Sequence, residues 1–454
     1  MARTRWIVLA CLLLCCGISV LWGSFLQRNS PHGMGDFKGV YDDARCLLQH
    51  GDPYKEDEPL RELRVYQAEG GGRPRPSDAL QRILTMKIYL PTTSLFVAPF
   101  AMLPWGPAHL LWMIFTAVSF FFAALLMWDS GASYTPVISG CFICFVLANS
   151  EILLASGNAA GVVVSLCMVA VWCFLEKKFV WAGVLCLAAS LAIKPHDAGL
   201  VWLYFLLAGG VYRKRALQTL LVAVVLGLAA IVWVEPIAPN WLQEWHSILL
   251  TASAPGGASN PGPTSPDVRN GPSMILDLQS TISVYRNDPR FYNPATYLIC
   301  GALLLVWAVR TLRLRFSLRR AWLALAAVVP LALVVTYHRP YDAKLLMLAV
   351  PACAMLWTEG RPIRWIALLV TAVGIIFTSD IPLVILSILN GNSSGSTAGT
   401  SGKILTEVLM RPTPLILLVM GIFYLWIYLR RDPVKVATAE HGEPGEIQLA
   451  RTPA

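Results

Sequence analysis

A chain of 454 residues that is 56% hydrophobic and only 14% charged, with mean hydropathy +0.58, has too little polar surface for a soluble globule of this size. It points instead to a polytopic membrane protein. The net charge of +9 comes from short Lys/Arg clusters between apolar runs, which act as topology signals and offer no face for nucleic acid.

Residues 1–5 are a short basic cap and residues 6–26 are apolar and uncharged. A signal peptide would look similar, but this run is longer than a usual signal core and lacks a small-x-small cleavage site. It reads as an uncleaved first transmembrane helix with its basic end in the cytoplasm. Residues 28–87 then form a first external loop. The loop opens with PHGMGDFKGVYDDARCLLQHGDPY, residues 31–54, where Asp36, Asp42 and Asp43 stand at helix-like spacing with Tyr41 and Arg45 among them. Gly35 before Asp36 and the turn Gly51-Asp52-Pro53-Tyr54 give this short helix a start and a stop. Such an acidic helix is either a solvated linker or one wall of a site facing the bilayer. Residues 56–82, rich in Arg, Glu, Gly and Pro, are expected to be partly irregular.

Residues 89–104 are apolar but short, and Pro91, Pro99 and Pro104 interrupt them. This segment is predicted to be re-entrant or juxtamembrane; the alternative makes it a true span and gives up 134–150. Further spans are predicted at 107–128, 134–150, 158–175, 179–193, 197–211, 216–235, 294–310, 321–337, 341–358, 363–380 and 404–429. With the first helix these make about twelve crossings. The expected organisation is thus one all-α integral-membrane domain over residues 1–430, with a second long external loop at 236–293 and a disordered cytoplasmic tail at 431–454.

Lys177-Lys178, Arg213-Lys214-Arg215, the Arg cluster at 310–320, the pair Arg361 and Arg364, and Arg430-Arg431 all fall in connections that this layout assigns to the cytoplasm. Asp36, Gly157-Asn158, Lys194-Pro195-His196-Asp197 and the run Tyr337-His338-Arg339-Pro340-Tyr341-Asp342 all fall on the external side. Lys194, at the end of an apolar helix, is either a snorkelling lysine or a cation placed to meet an anionic headgroup; neighbouring His196 and Asp197 favour the second. His338, Arg339, Tyr341 and Asp342 are either a polar hairpin with an Arg–Asp pair or a site, and four hydrogen-bonding residues in so short a turn favour a site. Asn158 alone could be an N-cap. Trp241, Trp245, Tyr285 and Tyr292 in the long loop read as interface anchors. Asn392-Ser393-Ser394 matches a glycosylation acceptor pattern. Ten of the eleven cysteines lie in apolar stretches, so a disulfide framework is not expected, and Cys141-x-x-Cys144 reads as small apolar residues in a helix.

The order GDFKGVYDDARCLLQHGDPY, YLPTTSLFVAPFAMLP, SGNAAGVVVSL, AGVLCLAASLAIKPHDAGLV and YHRPYDAKLLMLAVP resembles glycosyltransferase family 87. The resemblance implies a GT-C-type fold and a transferase of the bacterial mannosyltransferase kind that uses a polyprenyl-phosphate sugar. Implied partners are that donor, a glycolipid or glycan acceptor and membrane lipid, with an active site on the extracytoplasmic side of the plasma membrane. The family's catalytic aspartate in the first external loop falls on Asp36, and its Lys-Pro at a helix end falls on Lys194-Pro195. Two departures stand out. Many relatives have a Gly-Gln pair where this chain has Gly157-Asn158, and Asp42 and Asp43 offer alternative carboxylates for the base. The remaining expected substrate-binding residues are Tyr41, Asp43, Asn158, His196, His338, Arg339, Tyr341 and Asp342. No Gly-rich phosphate loop or D-x-D motif is present and no cofactor is expected, although Asp42 and Asp43 leave room for a divalent cation. The rival reading is a multi-helix transporter or flippase of a lipid-linked or anionic substrate. That class usually shows related halves and midplane charges, and neither is evident here.

Overall fold

The computed structural model describes residues 2–29, 33–55, 57–68, 87–255, 257, 259–262, 275–360, 362–382, 385 and 412–430. The expected tail at 431–454, the acceptor pattern at Asn392 and the first residues of the last expected span lie outside these. Regular structure among the described residues is all helix. Among the described residues, seven helical stretches are long and apolar enough to cross a membrane: Arg3–Asn29, Trp105–Ala132, Pro136–Ser156 (two helices in succession), Gly210–Val234, Pro289–Arg313, Leu318–Val335 and Pro412–Leu429. Ala160–Leu175, Val180–Ile193 and Ile363–Phe377 are apolar but shorter.

Leu318–Val335 is the central helix, with every residue from Ala321 to Val334 buried. In lipid, apolar burial by itself drives little association, so helices are held by close backbone approach and polar contacts. The Pro412–Leu429 helix packs along the central helix. Gly421 faces Leu331 so tightly that a Cβ would sit 2.8 Å from its side chain.

Helix breaks fall where polar side chains from distant parts of the chain take over the freed carbonyls. Val180–Ile193 and Pro195–Leu207 are separate helices joined through Lys194 alone, whose backbone (φ −147°, ψ 80°) turns the chain. Pro195 cannot donate to the preceding turn. The hydroxyls of Thr92 and Thr93 bind the carbonyls of Ala192 and Ile193 instead, the latter at 3.1 Å. The expected span at 134–150 holds the helix Pro136–Ala148, and after a break at Asn149 and Ser150 a short helix, Glu151–Ser156, carries the chain on. There the Lys344 ammonium donates to the Asn149 carbonyl at 2.6 Å. The expected span at 341–358 begins as a 3₁₀ helix, Asp342–Ala349, and becomes α-helical over Val350–Thr358.

In the first loop the predicted acidic helix is Gly35–Leu48. A further helix, Glu58–Ala68, occupies part of the stretch expected to be irregular, because Leu60 and Leu63 bury against Ile248 of the Trp241–Ser253 helix. The segment expected not to cross holds an 11-residue helix, Pro91–Ala101. At ~1.5 Å per residue it is about half the length that a span requires.

Candidate functional site

The site is built at one end of the helices, around the start of the Gly35–Leu48 helix. Phe37, Val40, Tyr41, Ala44 and Leu47 recur at helical spacing and form its buried face. Phe37 stacks on Trp112 at 4.6 Å and Phe100 closes the pocket edge-on. Met34, in the left-handed region at φ 55°, starts the helix and donates its N–H to the Ala155 carbonyl at 2.7 Å. These anchors fix Asp36, at the first turn, against the Gly157-Asn158 turn. Asn158 Nδ2 donates to Asp36 Oδ2 at 2.8 Å and to the Tyr89 hydroxyl at 2.9 Å, while its Oδ1 accepts from the Ala160 N–H at 2.8 Å. The same amide therefore takes up the first N–H of the Ala160–Leu175 helix and grips the carboxylate. Trp112 donates its indole N–H to the Gly157 carbonyl at 2.9 Å, holding the turn from below.

Lys194 comes from the break before Pro195 and is only 7% exposed. Its ammonium binds Asp342, lies 3.4 Å from Asp197 Oδ2, and sits over the Tyr341 ring at 5.1 Å. The other oxygen of Asp342 accepts the Arg339 backbone N–H at 2.8 Å, and the Arg339 guanidinium donates to the Tyr337 hydroxyl. His338 is fully buried, with Nδ1 2.9 Å from the Thr336 carbonyl and Nε2 3.3 Å from Asp197 Oδ1. His196 approaches the same oxygen at 3.7 Å and remains partly open to solvent. Leu276, within the long loop, donates its N–H to the His338 carbonyl at 2.9 Å and brings Asp277 alongside.

The two groups meet at Tyr89. Loss of hydration, followed by the charges of Asp36 and then Asp342, pushes its hydroxyl well above the usual range, so it stays protonated and available as a donor. Burial raises Asp277 to about 7, although the Ser280 N–H and the His338 ring pull the other way. Burial disfavours a charged His338 ring, but Asp197 more than offsets this and holds it above its ordinary range.

Of the residues singled out in the sequence, Asp36, Asn158, Lys194, His196, His338, Arg339, Tyr341 and Asp342 come together. Tyr41 and Asp43 do not. Tyr41 is 2% exposed and faces away, its hydroxyl donating to the Leu103 carbonyl at 2.8 Å and accepting from Arg45 at 2.5 Å. Asp43, two turns beyond Asp36, lies near Lys87, Asp42 and Asp57, and burial raises it to about 8. Asp42 pairs with Lys38 at the surface, 2.6 Å from one oxygen. Tyr89 and the pivotal role of Asp197 were missed. Asp197 stands three residues after Lys194 in the first turn of a Pro-started helix, a spacing that puts the two side chains together. Tyr89 carries only the weaker signal of a hydroxyl just before an apolar run.

The opposite end of the bundle is basic. Arg319 pairs with Glu359 at 2.8 Å, and Arg310 donates to the Leu429 carbonyl at 3.1 Å. Ala160–Leu175 runs from the Asn158 end to Lys177-Lys178, and Leu318–Val335 runs from Arg319 and Arg320 to His338, so the two ends are distinct.

A family model, glycosyltransferase family 87, matches residues 88–337, more than half of the chain. The matched span contains Asn158, Lys194, His196 and Asp197 and leaves out Asp36 and the His338–Asp342 turn. No curated protein and no solved structure matches the chain. The chain belongs to glycosyltransferase family 87.

Proposed function

We propose that this glycosyltransferase moves a hexose, mannose by preference, from a polyprenyl-phosphate sugar to an acceptor hydroxyl, with inversion at the anomeric carbon. The acceptor belongs to a glycolipid or glycan of the cell envelope. One observation carries the reading: Asp36 and Lys194, far apart in sequence, face a common set of tyrosines at one end of an apolar helix bundle. That pairs a candidate base with a candidate anion site where a lipid headgroup would lie.

In this scheme Asp36 takes the proton of the acceptor hydroxyl as its oxygen attacks the anomeric carbon. The bond from that carbon to the phosphate oxygen breaks, and its electron pair leaves on the phosphate. Asn158 aims the carboxylate. Lys194 and Arg339 meet the charge developing on the departing polyprenyl phosphate, with His196 and His338 beside them. We read the seven long helices and three shorter apolar ones, with Pro195–Leu207 and Asp342–Thr358, as about twelve passes of a GT-C-type bundle. The basic end then lies in the cytoplasm and the site on the extracytoplasmic side of the plasma membrane.

The test uses purified protein in vesicles with a synthetic polyprenyl-phospho-mannose and a glycolipid acceptor. Transfer with inverted anomeric configuration is expected, and none from a nucleotide sugar. Transfer from the nucleotide sugar alone, or retention of configuration, refutes the donor and mechanism proposed.

A further inference from the structure

Tyr89 holds an O–H whose proton has no acceptor among the described residues. Its oxygen accepts from Asn158 Nδ2 at 2.9 Å, and that is its one hydrogen bond there. A phenolic O–H lies in the plane of its ring, so a donor on one edge of the oxygen leaves the proton on the other. Asp36 and Asp342 lie close enough for their charges to act on the hydroxyl. Asn158 also holds Asp36, at 2.8 Å, so one amide sets the direction of the tyrosine and of the candidate base together. The backbone around Tyr89 is tied to the other half of the site. Pro91 opens a helix from an extended Leu90 (φ −69°, ψ 155°). The Thr92 and Thr93 hydroxyls then bind the carbonyls of Ala192 and Ile193, the two residues before Lys194. On the other side the Trp245 indole donates to the Ile88 carbonyl at 3.0 Å, and Lys87 pairs with Asp57 at 2.5 Å. Tyr89 is thus fixed at its hydroxyl by the partner of the base and at its backbone by the break that delivers Lys194. It is only partly buried, so a ligand in the pocket can reach it.

We propose that Tyr89 is a further catalytic residue, whose O–H donates to a phosphoryl oxygen of the departing polyprenyl phosphate while Asn158 fixes its direction. This role rests on the transferase reading. Lys194 is engaged by Asp342 and Asp197, so another donor is of use as the bond from the anomeric carbon to the phosphate oxygen breaks. A neutral hydroxyl suits the place beside Asp36. A second cation there would stabilise the charged carboxylate and make it a weaker base, whereas an O–H meets the phosphate without that effect. The tyrosine keeps its proton throughout. Asp36 takes the proton of the acceptor hydroxyl, and the electron pair of the broken bond leaves on the phosphate.

The test compares wild type and Tyr89→Phe, which removes the O–H and keeps the ring. Full-length protein in vesicles is assayed for hexose transfer, and its affinity for polyprenyl phosphate is measured beside that for the uncharged polyprenol. Tyr89→Phe is expected to lose ~10²-fold in kcat, with the acceptor KM within about twofold of the wild type. Its affinity for polyprenyl phosphate is expected to fall about tenfold while that for polyprenol is unchanged, because only the phosphate accepts from the hydroxyl. Equal affinity of both proteins for polyprenyl phosphate overturns the proposal. So does a loss of affinity for both lipids alike, which is what a distorted pocket gives. A loss confined to the acceptor KM also overturns it and puts the hydroxyl on the acceptor. A wild type that binds polyprenyl phosphate but transfers no hexose refutes the transferase reading alone, since the two lipids still decide whether Tyr89 meets the phosphate.

Discussion

Lys194 shows how a single side chain decides the stability of the site. It is the shared partner of Asp342 and Asp197, which are 1% and 2% exposed. Removing one member of such a buried set leaves carboxylates without a counter-charge, at a cost of about 3–5 kcal/mol. Lys194→Ala is therefore expected to lower the unfolding midpoint of the detergent-solubilised protein sharply, and Asp342→Asn in the same chain to restore part of the loss. A Lys194→Ala protein that melts like the wild type would show that the buried pair does not form. Asp43 makes a prediction of the opposite kind. Burial raises it to about 8 in the fold, against about 4 in an unfolded chain. Between those values the unfolded state releases a proton that the folded state keeps, so the contribution is full below about pH 4 and gone above about pH 8. Stability is expected to fall from pH 5 to pH 8, and Asp43→Asn to flatten that fall in melting curves. A slope unchanged by the substitution would contradict the assignment.

At the scale of elements, the Gly157-Asn158 turn links the bundle to the Asp36 helix. Gly157 has φ 66°, and a Cβ there would lie 2.8 Å from the Met34 methyl and 2.9 Å from the Phe37 Cβ. Gly157→Ala thus meets both backbone strain and the two residues that seat Asp36, for a cost of about 1–3 kcal/mol. Transfer is expected to fall at least tenfold while the protein stays in the membrane; near-normal turnover would mean that the turn does not position Asp36. The helices themselves were legible as apolar runs, and the Gly35–Leu48 helix as carboxylates at helix-like spacing with a turn behind them. The ends at Asn149 and Asp342 fall within two residues of expected span limits, 150 and 341, but what shapes them was not legible. The side chain that takes over the freed Asn149 carbonyl, Lys344, stands far along the chain, and nothing local marks Asp342–Ala349 as a 3₁₀ helix. Tyr41 and Asp43 were grouped with Asp36 by nearness in sequence, yet helical rotation sends Tyr41 into the aromatic core and two turns of rise carry Asp43 to Lys87.

Over the whole molecule, the placement of basic clusters in short connections between apolar runs made the two ends of the bundle readable, because charge in short loops is tied to topology. The gathering of Asp36, Lys194 and His338 at one end follows from that alternation. Their mutual distances do not, since they depend on how the Pro91–Ala101, Val180–Ile193 and Leu318–Val335 helices pack. The family match covers the helices that carry Asn158 and Lys194, while Asp36 reaches them from outside the matched span. The base assignment therefore depends on folding geometry, and one rate tests it. Asp36→Asn keeps the shape of the side chain and removes its basicity. Purified and reconstituted beside the wild type, it is expected to lose ~10²–10⁴-fold of hexose transfer from the polyprenyl-phosphate donor, with an unchanged melting profile. Turnover within a few-fold of the wild type would contradict the account.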